Sequence, residues 1–204
     1  MPINVDAHEF LRSRRSIRRF KNLNIEKGLL NRIIETGCCA PSAHNSQPWR
    51  FAILTSPSSK HKLAEAMAAE FRNDLAAEAI SQEGIEKRIE GSRSRIQNAP
   101  VVVILCLAQT DLDSYPDARR QKAELTMGIQ STAMAGLQLL QAAHAEGLGG
   151  VWTCGPLFAP NAVQTALSLP IAWDPQGMLL LGYPDEIPPQ KNIKPMQEMV
   201  LFIE

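Results

Sequence analysis

The run Val101–Ala108, VVVILCLA, carries eight apolar residues with no polar alternation and follows the turn-forming stretch Asn98-Ala99-Pro100. A strand with one wet face alternates apolar and polar side chains, whereas an unbroken run suits a central strand covered on both faces. The rest of the chain has to supply that cover. With 204 residues it can hide roughly 70% of its unfolded surface, enough for one core without disulfides or metal.

The flanking pattern reads as helices interleaved with about four strands. Asp6 is placed to cap a short helix bearing Phe10 and Leu11, ending where the arginines begin. A second helix, capped by Asn24, carries Ile25, Leu29, Leu30, Ile33 and Ile34 and stops near Cys39, because Pro41 forces Ala40 out of helical geometry. RFAILT at 50–55 reads as a short buried strand. Residues 58–95 read as one or two surface helices broken around Gly84.

From about Asp117 to Glu146 a long helix is expected, with Ile129, Ala133, Leu137 and Leu140 as one stripe and Gly147 as its C-terminal stop. The small residues Gly128, Ser131, Ala133, Ala135 and Gly136 would admit a second helix or a flat ligand. GLGGVWTCGP turns into a strand, Pro160–Leu167 is a short helix, and a turn around Asp174 and Pro175 precedes the strand GMLLLGY. The remainder, from about 184 to 204, is proline-rich and reads as an extended arm. Its apolar end needs burial, and a partner subunit is one solution. The whole, 1–204, is expected to form a single α/β or α+β domain.

Composition excludes several classes. Twenty-one basic and 21 acidic residues balance, which argues against a nucleic-acid binder relying on surplus cations. No apolar run approaches the roughly 20 residues of a membrane helix. The N-terminus has no apolar stretch before its arginines, so a cytoplasmic protein is expected. Cys38, Cys39, Cys106 and Cys154 lack CxxC spacing, and His8, His61 and His144 are isolated, so neither disulfide nor metal is expected.

Two segments carry candidate chemistry. RRSIRRF sets Arg14, Arg15, Arg18 and Arg19 around Ser16, and guanidinium forks with a hydroxyl match phosphate oxygens. A solvated basic turn is the competing reading of this segment alone. APSAHNSQPWRF presents Ser42, Asn45, Ser46 and Gln47 on a loop pinned by Pro41 and Pro48, where amides and hydroxyls can read the edge of a heteroaromatic ring.

These two motifs, followed in order by a helix into GLGGVWTCGP and by GYPDE, resemble the FMN-dependent nitroreductase family over nearly the whole chain. The stretch from Gly128 to Glu186 is also similar to the reductase domain of deazaflavin-cofactor γ-glutamyl ligases. The resemblance implies a three-layer α+β fold, a central mostly antiparallel sheet among helices, and an intertwined homodimer with FMN at the interface. By position, Arg14, Arg15, Ser16 and Arg18 would meet the FMN phosphate, the ribityl chain or the pyrimidine edge. Pro41, Ser42, Ala43 and Asn45 would reach the flavin of the other subunit, and Cys154 and Gly155 would set backbone against flavin N5. Lys191 and Lys194 fall where the family commonly carries arginine onto the phosphate. Lysine supplies the charge without the bidentate fork.

The family chemistry implied is a ping-pong cycle in which NAD(P)H reduces FMN and leaves, and an electron-poor acceptor, nitroaromatic or quinone-like, takes the same site. Flavin carries that chemistry, so no catalytic side chain need be found. The alternatives are a reductase of an unsaturated or deazaflavin-like metabolite and a non-catalytic flavin-binding or storage protein. Cys154 has no resolving partner for a thiol mechanism. GLGG lacks the lysine of a P-loop. Trp49 and Trp152 read as packing residues, and His44 as either a solvated loop residue or part of the substrate face. Specificity is expected in the helical stretch 60–95.

Overall fold

A computed structural model describes residues 6–76, 78, 81–189 and 191–203; the start of the N-terminal segment read above, and Gln190 and Glu204 of the arm, lie outside them. Four antiparallel strands form one sheet in the order β1-β2-β4-β3. They are β1 (Trp49–Leu54), β2 (Val101–Ala108), β3 (Gly149–Thr153) and β4 (Trp173–Gly182). Strand β2 is central and buried along its whole length.

Because side chains alternate across a strand, β2 divides its apolar run between two cores. Val102, Ile104 and Cys106 pack with Leu63 and Met67 of α3 (Pro57–Ala76), Ile96 of α4 (Gln82–Asn98) and Val163 of α6 (Pro160–Leu167). Val101, Val103 and Leu105 pack with Leu30 and Ile33 of α2 (Lys27–Gly37) and with Leu139 and Leu140 of α5 (Ala118–Ala145). Helices therefore cover both faces, and the α+β three-layer arrangement is as expected.

Helix α1 (Ala7–Ser13) starts on the expected cap, with the Asp6 carboxylate accepting the His8 N–H at 2.9 Å. Gly147, at φ 76°, stops α5 in the left-handed conformation a side chain disfavours.

Four sequence expectations are corrected. Helix α2 starts after Glu26, two residues later than the Asn24 cap, with Glu26 in the extended conformation that precedes the first turn. The break in 58–95 falls between α3 and α4, where Ser81 Oγ accepts the Gly84 N–H, so Gly84 lies in the first turn of α4. Asp174 and Pro175 belong to β4: Cys106 pairs with Pro175 and Leu105 with Gly177, leaving Gln176 as the extra residue of a bulge. A proline is tolerated there because β3 pairs only with residues 178–182 of β4.

Finally, the Ile129–Ala133–Leu137 stripe of α5 is exposed; the buried face is Gly128, Ser131, Thr132, Ala135, Gly136 and Leu139. The small residues bring α5 close to the sheet, and the larger apolar ones face outward. Beyond β4 the arm is half-buried at Pro184, Glu186 and Pro188 and exposed over residues 191–203, with Ile187 at 99% and Ile203 at 88%. No helix among the described residues is long and apolar enough to cross a membrane.

Candidate active site

After α1 the chain turns extended and runs along the open edge of β3. Ser16 bridges Gly150 in parallel, and the Ile17 N–H donates to the Gly150 carbonyl at 3.1 Å. Buried Ile17 pins the segment; an added Cβ on Gly149 would come within 2.7 Å of it, so the contact needs a bare backbone. With Ile17 turned inward, alternation leaves Arg14, Ser16 and Arg18 on the other side.

Two cavities adjoin there. One, of about 300 Å³, is lined by Ser13, Arg14, Arg15, His144, Glu186 and the backbone of Gly147–Gly150. The other, of about 290 Å³, is lined by Arg14, Ser16, Ala133, Leu137, Leu140 and Trp152. They share Arg14 and Leu140. A cationic end with glycine backbone passes into an end walled by Trp152 and aliphatic side chains, a donor set suited to a phosphorylated molecule with a flat apolar ring.

The arginine cluster is divided by the fold. The Arg15 guanidinium donates to the carbonyls of Arg12 (2.5 Å) and Arg14 (3.1 Å) and retains further N–H groups. The backbone N–H groups of Arg18 and Arg19 donate to Glu186 Oε1 at 2.5 and 3.1 Å, and Arg19 Nε pairs with Oε2 at 3.3 Å. Those amides, Arg18 first, hold the Glu186 carboxyl below its ordinary pKa. Arg19 is thus partly neutralised, and the exposed Arg18 side chain borders a different cavity with Lys60 and Arg95.

The Pro41–Pro48 loop stands elsewhere in the same chain, lining neither of the two cavities. Ala43 N–H donates to Ser131 Oγ at 3.2 Å, on the side of α5 roughly opposite Ala133. Ser42 Oγ accepts the Gln47 N–H at 3.0 Å. His44, Asn45 and Gln47 all hold positive φ, at 52°, 54° and 47°. Left-handed backbone at non-glycine residues costs on the order of 1–3 kcal/mol each and collects at functional loops. Pro41 and Asn45 are exposed, and Ser42 and Ala43 half-buried.

At the far end of β3, Cys154 is exposed and its sulfur accepts the Trp152 indole N–H at 3.1 Å. Gly155 lines a further cavity of about 310 Å³ with Met67, Phe71, Leu75 and Phe158, bringing the 60–95 stretch beside it. Lys191 and Lys194 are exposed on the arm and border neither of the first two cavities.

Two lining residues escape a motif-based reading. Trp152 reads as packing in the sequence, and it does pack on Gly136 and Gly177, yet it also walls the apolar cavity. His144 reads as isolated; its position in the last turn of α5, just before the Gly147 stop, is the one sequence signal that sets it near the GLGG turn.

The model of the nitroreductase family matches residues 11–183, from the end of α1 to the end of the sheet. The chain belongs to the nitroreductase family. It is 28% identical to the NADH dehydrogenase of Thermus thermophilus, over 97% of this chain and 96% of that one. Among solved structures, a BluB-like flavoprotein from Clostridium difficile superposes with a TM-score of 0.81 at 20% identity, covering 98% of this chain and 100% of that one. A Desulfovibrio desulfuricans protein crystallised in complex with FMN superposes at 0.73 and 22% identity, covering 97% and 96%. The family assignment agrees with the resemblance carried by RRSIRRF and APSAHNSQPWRF, and these structures share the fold.

Proposed function

We propose that this nitroreductase-family chain is an FMN-dependent NAD(P)H oxidoreductase whose flavin lies along the Arg14–Ser16 segment. The observation that carries the placement is the pair of adjoining cavities that share Arg14 and Leu140, cationic at one end and apolar at the other. Bound there, FMN supplies the hydride and electron chemistry.

The protein's part is to bind, orient and exclude water. Arg14 and Arg15 hold the phosphate, Ser16 reaches toward the ribityl chain and pyrimidine edge, and Trp152, Ala133 and Leu137 wall the ring, while Arg18, on the cavity with Lys60 and Arg95, takes no part in this protomer's flavin contacts. The Cys154–Gly155 backbone sits at the reactive edge. NAD(P)H and an electron-poor acceptor occupy that position in turn, in ping-pong order.

The site is completed by a second copy of the chain. In one protomer the Pro41, Ser42, Ala43 and Asn45 loop stands across α5 from the Arg14 cavities, and α5 exposes Ile129 and Leu137 while the arm exposes its apolar end. A homodimer that buries these surfaces brings the loop of one chain to the flavin of the other and lets Lys191 and Lys194 join the phosphate.

The test is direct. Purified protein is expected to be yellow, to bleach anaerobically with NADH or NADPH, and to recolour with a quinone; colourless protein indifferent to added FMN overturns the proposal. Sedimentation should give twice the 22.5 kDa chain mass, and Leu137→Glu should shift it toward monomer with loss of flavin.

A further inference from the structure

His144, in the last turn of α5, lines the cationic cavity, and Ser13 and Phe10 contact its ring. Ser13 Oγ donates to the Phe10 carbonyl at 2.7 Å and lies 2.7 Å from His144 Nε2. With its one proton on the Phe10 carbonyl the Ser13 hydroxyl can only accept from the imidazole, which is the arrangement with the ring proton on Nε2. Neutral His144 then keeps its lone pair on Nδ1, the nitrogen open to a further proton. The Phe10 ring stacks on the imidazole with centroids 5.0 Å apart, holding it in place.

The charged groups around it are Arg14 and Arg15 on the segment after α1 and Glu186 across the cavity on the arm. Glu186 is committed to the amides of Arg18 and Arg19. Burial first, then the charges of Arg14 and Arg15, push the His144 pKa down. Two arginines beside a neutral histidine make an incomplete cradle for a dianion.

Resting on the phosphate placement above, we propose that His144 is a further phosphate-positioning residue, which takes up a proton on Nδ1 when the FMN phosphate docks between Arg14 and Arg15. A dianion offsets the two guanidinium charges and reverses the field on the imidazole. The balance is simple: one proton moves from solvent to Nδ1, and no bond to FMN forms.

Cofactor binding is then linked to pH. A group whose pKa rises on binding strengthens that binding as pH falls through the bound-state value. The phosphate's own second protonation, near pH 6, acts in the opposite direction, so the informative range is about pH 8.5 to 6.5.

The experiment dilutes FMN-loaded protein and reads released flavin by fluorescence at several pH values, with riboflavin exchanged in as the ligand lacking phosphate. The expected result is a Kd for FMN that falls by up to about tenfold per pH unit on acidification, a flat profile for riboflavin, and a flat FMN profile for His144→Gln. An unsloped wild-type profile, or an equal slope in His144→Gln or with riboflavin, overturns the proposal. If His144→Gln does not fold, the FMN and riboflavin profiles of the wild type still decide. Arg14→Ala separates the two readings: unchanged FMN affinity there removes the phosphate placement itself, whereas weakened affinity beside a flat wild-type profile removes only the role of His144.

Discussion

Gly136 of α5 meets the indole of Trp152 with no side chain between them: a Cβ built on Gly136 would overlap the ring and lie 2.8 Å from Leu105 Cδ1. The contact sets both the distance of α5 from the sheet and the tilt of the ring that walls the apolar cavity. Gly136→Ala should therefore destabilise the fold by about 1–3 kcal/mol, as overpacking does, and weaken flavin binding. Urea unfolding checks the first effect and flavin release the second. Adding Trp152→Leu should recover part of the stability, since the smaller side chain yields the room.

Arg14 borders both cavities, and Arg15 has already given N–H groups to two carbonyls. Charge-assisted hydrogen bonds are worth about 1.5–3 kcal/mol. Arg14→Ala should raise the Kd for FMN by roughly 10- to 100-fold, and Arg15→Ala by less, as read by fluorescence titration. The reverse order would move the phosphate toward Arg15.

Glu186 fastens the arm to the Arg18–Arg19 backbone, and those amides lower its pKa. A depressed carboxyl adds stability that is fully present above the unfolded value, about pH 4.3, and is lost as pH falls through the folded value. Thermal melts should therefore show Glu186→Gln less stable than wild type at pH 7, with the gap closing as pH falls below the unfolded value of about 4.3. A gap that stays constant with pH would mean that the carboxylate charge contributes nothing.

Cysteine reactivity should separate by burial. Cys106 sits in the central strand, and burial, with Asp174 nearby, pushes its thiol up to about 12. Cys38, Cys39 and Cys154 are exposed. Alkylation of native protein followed by mass spectrometry should label Cys38 and Cys39 readily and spare Cys106 until denaturant is added. Labelling of Cys154 should slow when FMN is present, because its sulfur lies at the end of β3 beside the proposed ring position.

Much of this architecture was legible in local chemistry. The unbroken Val101–Ala108 run identified the buried central strand, Asp6 capped its helix, Gly147 ended α5, and Pro160–Leu167 has the expected bounds. Each rests on a property of a few adjacent residues: apolarity, a capping carboxylate, or tolerance of positive φ. The misreadings share the opposite cause. Pro175 reads as a turn residue, yet it joins β4 because β3 is too short to require its missing N–H, and Ile129 and Leu137 have core character although they stand 39% and 47% exposed among the described residues.

The candidate site follows the same division. By itself the sequence determined the two motifs, their order and the family they resemble, because guanidinium groups, hydroxyls and prolines at those spacings carry recognisable chemistry. Only the tertiary structure separated Arg14 and Arg15 from Arg18 and Arg19, set Trp152 and His144 beside the former, and placed the Pro41–Pro48 loop across α5. Those relations join residues 88 or more positions apart, or turn on which side of an extended segment a side chain takes. Sheet pairing at Gly150 and the inward packing of Ile17 decide that, and neither is a property of RRSIRRF read alone.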